Sequence, residues 1–122
     1  MGRHEINIER AIKVALTSKY KWKLGAVVTN NGRVLSKSPN KFRNPPTVNP
    51  NHATTHAEIA ALAKCYKISK NGTVYVARVD GFGRTRLARP CETCKVNLTL
   101  AGVRTIVYTN EHGNGTFTIE KL

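Results

Sequence analysis

No stretch of this chain approaches 18 consecutive apolar residues, so the sequence predicts no membrane-spanning helix. The N-terminus lacks the charged, apolar and small-residue succession of a secretory leader, and the expected location is cytoplasmic. Cysteine is scarce. Cys65, Cys91 and Cys94 are the only three, too few for a disulfide framework and in keeping with a reducing compartment. There is no internal repeat and no low-complexity tract. Acidic residues are few as well: 7 Asp and Glu stand against 20 Lys and Arg, a formal charge of +13 in 122 residues. Such a field draws polyanions, nucleic acid first among them, although a basic composition serving only solubility is the competing account. A chain of this length is expected to form one domain over 1–122 and to bury roughly two thirds of its unfolded surface.

What is present alternates between helical and strand patterns. Ile8, Ile12, Ala15 and Leu16 recur at helical spacing and predict a helix over 6–18. A short apolar strand, 24–29, meets the hairpin signal Asn31-Gly32 and an antiparallel partner over 33–38. Residues 39–55 carry Pro39, Pro45, Pro46 and Pro50 and predict a long polar loop, a length that is usually functional. A second helix over about 56–68 buries Ile59, Leu62, Ala63 and Tyr66 and ends at Asn71-Gly72. Then come a strand over 73–79, a loop over 80–89, a helix over about 90–101 with Gly102 as its C-cap, a strand over 103–109, a turn, and a last strand over 116–122. The β-α-β crossovers imply parallel strands, with both later helices starting at the carboxyl edge of the sheet.

That edge receives the chemistry-bearing residues. A catalytic zinc takes three protein ligands and keeps a fourth position for water. His56, Cys91 and Cys94 supply three. Cys91 and Cys94 lie three residues apart, on one helix face, behind Pro90, which suits a helix start. In a first turn the macrodipole and the free N–H groups favour the thiolate that binds metal. Glu58, two residues beyond His56, projects elsewhere in the same turn, where it can reach the water without coordinating zinc. Thr55 and Glu58 also fit a capping box, a purely structural account of the same glutamate. A closed structural site would need a fourth ligand. Cys65 lies roughly 13 Å along the helix from His56 and reads as a small buried apolar residue, and His52 would need a sharp turn to reach the metal.

His56-Ala57-Glu58 and Pro90-Cys91-Glu92-Thr93-Cys94, with the Gly25-Ala26-Val27-Val28 strand ahead of them, resemble the cytidine deaminase-like superfamily over nearly the whole chain. The resemblance implies a three-layer α/β/α fold and zinc-dependent hydrolytic removal of an exocyclic amine. Glu58 would take the proton of water and deliver protons to the ring nitrogen and the departing ammonia. Asn40 resembles the family's sugar-binding Asn, and the backbone N–H groups of Ala57 and Cys91 would hold substrate oxygens. His as first ligand resembles the deoxycytidylate, tRNA adenosine and APOBEC-type branches. Arg89 stands before Pro90, where small or acidic residues are frequent in the family. Only about six residues separate the last two strands, too few for a parallel crossover. The expected sheet is therefore mixed and five-stranded, ending in an antiparallel hairpin, as in free-nucleoside and bacterial toxin deaminases.

Substrate expectations divide. Trp22 between lysines, Phe42 between Lys41 and Arg43, and Phe82 near Arg84, Arg86 and Arg89 combine stacking surfaces with cations, the recipe for single-stranded nucleic acid, which is the expected partner. Each aromatic has core filling as its plainer account. The alternative substrate is free deoxycytidylate or cytidine. Further alternatives are adenosine in tRNA-like RNA, and an inactive zinc-stabilised nucleic-acid-binding module, which would have no use for Glu58. Homo-oligomerisation is left open.

Overall fold

A computed structural model describes residues 2–18, 23–39, 71–90 and 92–122, and the backbone of 41–42 and 54–55. Helix α1 (Arg3–Leu16) is followed by strands β1 (Lys23–Asn30), β2 (Arg33–Pro39), β3 (Lys41–Phe42), β4 (Thr54–Thr55), β5 (Thr73–Val79) and β6 (Thr85–Arg86), then helix α2 (Glu92–Leu100) and strands β7 (Thr105–Thr109) and β8 (Phe117–Lys121). The predicted helix over 56–68, with Cys65, lies outside the described residues.

The main sheet runs β2-β1-β5-β7-β8. β5 and β7 are parallel, and the other pairs along this path are antiparallel, including the closing β7–β8 hairpin. That is the expected five-stranded mixed path, with one addition. β6 pairs with the end of β5 through Arg78↔Arg86 and Val79↔Thr85, making six strands in all. β7 leaves β5 after Tyr108↔Val76, and β6 fills the place beyond. The buried Thr109 hydroxyl spans the parting: it accepts from the Arg78 N–H at 3.1 Å and donates to the Arg86 carbonyl at 2.6 Å. A two-residue strand has no hydrophobic period, so the predicted 80–89 loop gave no sign of β6. The predicted 39–55 loop likewise contains β3 and β4, paired antiparallel as Lys41↔Thr55 and Phe42↔Thr54.

Strand alternation sorts the apolar residues onto two faces. Ala26, Val28, Val74, Val76, Ile106 and Tyr108 form one core with Leu98, Ala101 and Val103 from α2 and the turn after it. Val27, Tyr75, Ala77 and Val107 form the other with Ile8 and Ala11 of α1. A helix on each face gives the expected three layers. α1 begins earlier than predicted because its first turn, Arg3 to Ile6, carries no buried side chain and so no periodic signal. Gly25 on β1 is what lets α1 approach: a Cβ there would collide with the backbone of Ala11 and Ala15. Asn31 and Gly32 take φ 53° and 77°, as a tight two-residue hairpin demands. α2 ends in a Schellman motif. Gly102 (φ 92°) donates to the Thr99 carbonyl at 3.0 Å, and Val103 donates to Leu98 at 3.0 Å.

Candidate active site

The register brings several chain ends to one edge of the sheet. Gly25 faces Pro39, and Lys23 faces Val79, so β1 starts where β2 and β5 finish. The 80–90 segment departs from that edge ahead of α2. Cys94 sits in the first turn of α2 and is 4% exposed. Pro90 ahead of it is buried too. A buried thiol in a helix's first turn, near the free N–H groups, suits a metal-binding thiolate. This donor fits zinc, together with the imidazole of His56 and the thiol of Cys91. His56, Ala57, Glu58 and Cys91 lie outside the described residues. Among those described, no three His, Cys, Asp or Glu side chains gather to hold a metal.

Three predicted substrate contacts flank this edge in sequence. Trp22 immediately precedes Lys23 and Asn40 immediately follows Pro39; both lie outside the described residues. Phe42 is in β3, opposite Thr54, and its side chain also lies outside them. The β3–β4 pairing sets Lys41 across from Thr55, the residue just before His56. Thr55, the predicted N-cap, is in β4, and the helix it would cap lies outside the described residues.

The 80–89 loop is built around Asp80, which belongs to no motif of the sequence. Its Oδ1 accepts from the Phe82 N–H at 2.9 Å and the Arg84 N–H at 3.0 Å. Its Oδ2 accepts from the Nε of Arg84 at 3.1 Å and of Arg86 at 3.0 Å. The Arg84 amide foremost, then the Phe82 amide and the Arg86 guanidinium, lower its pKa to about 2. Held this way, the loop shows Phe82 to solvent at 85% exposure, with the Arg84 guanidinium 5.1 Å from the ring centroid. Thr85 turns inward and accepts from the Gly115 N–H at 2.9 Å, fastening the loop to the turn between β7 and β8.

Arg89 does not stand alone either. Its Nη2 lies 3.4 Å from Glu120 Oε1 on β8, and Lys95 Nζ donates to the same oxygen at 2.9 Å. Lys95 above all holds the Glu120 carboxyl below its ordinary pKa. The structure therefore gathers Phe82, Arg84 and Arg86 into one loop and turns Arg89 toward β8. The lone aspartate among three arginines was the available signal for Asp80. Glu120 lies 25 residues from Lys95 and had none.

A sequence model of the cytidine and deoxycytidylate deaminase zinc-binding region matches residues 1–110. Among solved structures, the dCMP deaminase of the cyanophage S-TIM5 is similar at 27% identity, covering 92% of this chain and 85% of that one, with a TM-score of 0.68. The cytidine deaminase of Burkholderia pseudomallei shares the fold at 22% identity over 99% and 93% of the two chains, TM-score 0.68. A tRNA:A34 deaminase does so at 21% identity over 90% and 78%, TM-score 0.63. The comparison with curated proteins finds no match. Among the described residues no helix is long and apolar enough to cross a membrane. Fold, matched region and sheet edge converge: the chain belongs to the cytidine and deoxycytidylate deaminase zinc-binding family and is a zinc-dependent hydrolase acting on C–N bonds.

Proposed function

We propose that the chain, as one domain, hydrolyses the amine of a cytosine carried on a free pyrimidine nucleotide, of the deoxycytidylate type, giving the uracil nucleotide and ammonia. The observation that carries this reading is the likeness to the phage dCMP deaminase, at 27% identity over 92% of this chain. A related structure of that phage enzyme, 25% identical, holds dCMP and dUMP. The charge around the edge supports the same substrate. One negative charge on Asp80 meets Arg84 and Arg86, which leaves a single net positive charge among these three at the edge, while Glu120, level with Ile106 and Val74 toward the far end of the sheet, draws Arg89 and Lys95 away from it. A single phosphate needs no more.

His56, Cys91 and Cys94 would hold the zinc. Bound there, the metal supplies a Lewis acid that brings the pKa of a water molecule toward neutrality. Glu58 would take a proton from the attacking water and return protons to the ring nitrogen and the leaving amine. The N–H groups of Ala57 and Cys91 fix substrate oxygens, and Asn40 meets the sugar. Cytosine and water are consumed; uracil and ammonia leave.

One observation favours a second reading, cytosine in single-stranded nucleic acid. Phe82 is 85% exposed beside a guanidinium in a chain of charge +13, the pairing used to stack bases and meet phosphates. Mass spectrometry after incubation with dCMP, CMP, cytidine and cytosine-containing oligonucleotides separates the two, because only the true substrate exchanges NH2 for OH. The nucleotide reading expects turnover of dCMP, with a KM that barely moves with salt beyond one or two charges. Oligonucleotide turnover whose binding falls with salt, at a log–log slope of about 0.7 per phosphate contacted, would overturn it. In that case Phe82→Ala should cost about 1–3 kcal/mol of binding.

A further inference from the structure

Glu120 belongs to no motif. It sits on β8 opposite Ile106, a member of the core on the α2 side, so its side chain projects over that face. Its Oε1 takes both Lys95 and Arg89. Arg89 stands two residues before Cys91, and Lys95 stands one residue after Cys94. One carboxylate thus grips both ends of the segment that carries the two thiols. The grip is uneven. The Lys95 side chain is only 14% exposed and its Nζ stands 2.9 Å from the oxygen, so it is the shorter and less solvated arm. The Arg89 arm is longer and half exposed, and it adds little. The other oxygen, Oε2, is buried and has no hydrogen-bond partner among the described residues. A buried unsatisfied oxygen is costly, and a glutamate serving only as surface charge would not be set that way.

We infer that Glu120 is a positioning residue for the metal site. Through Lys95 it sets the rotation of α2 about its own axis, and with that the direction of Cys94; through Arg89 it tethers the approach to Cys91. Cys94 and Leu98 already face inward along α2, and Ala101 does so in the turn after it. The apolar stripe settles which face of α2 turns inward, and the Lys95–Glu120 ion pair adds a charge-assisted tether at one side of it. The inference rests on the reading that His56, Cys91 and Cys94 hold zinc. Groups that orient ligands from behind typically change metal affinity 10–100-fold.

The test compares Glu120→Gln, Lys95→Met and Cys94→Ser with the parent as zinc-loaded proteins. Zinc release into a chromogenic chelator is timed, and thermal unfolding of the zinc-free proteins is recorded beside it. Gln keeps the shape of Glu120, and Met replaces the shielded ammonium by a neutral chain, so both variants should fold. Glu120→Gln and Lys95→Met should release zinc about 10-fold faster or more while their zinc-free melting temperatures stay near the parent's. Release at the parent's rate from both overturns the inference, and so does faster release that merely follows an equal loss of zinc-free stability. If Cys94→Ser itself holds zinc as tightly as the parent, the metal-site reading fails instead, and the two failures are told apart.

Discussion

Replacing Asp80 by Asn keeps one acceptor oxygen and removes the charge that gathers Arg84 and Arg86. The carboxyl titrates near 2 in the fold and near ~3.9 in an unfolded chain. A lowered folded value means the native state binds the proton less readily. Its stabilising effect is therefore complete above about pH 4 and is lost as the pH falls through about 2. The melting-temperature gap between parent and Asp80→Asn should hold steady above that window and close within it. A gap that stays open at pH 2 would show the carboxylate is not the cause. Glu58→Gln is the sharper probe of chemistry, because Gln preserves a capping bond while removing the proton carrier. Turnover should fall by ~10²-fold or more with zinc still bound, read as kcat beside metal content.

At the scale of elements, Gly25→Ala should push α1 away from β1, since the new Cβ meets helix backbone that cannot swing aside. Overpacking of this kind costs about 1–3 kcal/mol or more, and chemical denaturation would measure it. Much of the architecture was legible beforehand for the same reason that this glycine matters: each long element advertises the face it buries. β5 lies over 73–79 as its Val- and Tyr-rich run predicts, and the Asn31-Gly32 hairpin and the Gly102 cap stand where their special backbone angles require. β3, β4 and β6 were not legible. Each has two residues, and partners reached only through the fold create it. The candidate site divides similarly. Cys94 announces itself by spacing, whereas the carboxylates that occupy Arg84, Arg86 and Arg89 act across the fold or within a turn, where no period points to them.

For the whole molecule, the sheet divides two apolar cores that share strands but not helices. α1 closes one side, and the cysteine-bearing α2 closes the other. Of the two described helices, only α2 carries a proposed zinc ligand, Cys94. Zinc binding is folding free energy for whatever it ties together, and here that should not be shared evenly. Stripping zinc with a chelator should lower the melting temperature; an unchanged value would uncouple the metal from the fold. Amide hydrogen exchange would then show where the loss falls. Amides of α2 should exchange faster in the zinc-free protein, while those of α1 and of β1 beneath it keep their protection. The protein would then survive metal starvation as a half-ordered molecule, with an intact scaffold side waiting for the other to re-form when zinc returns.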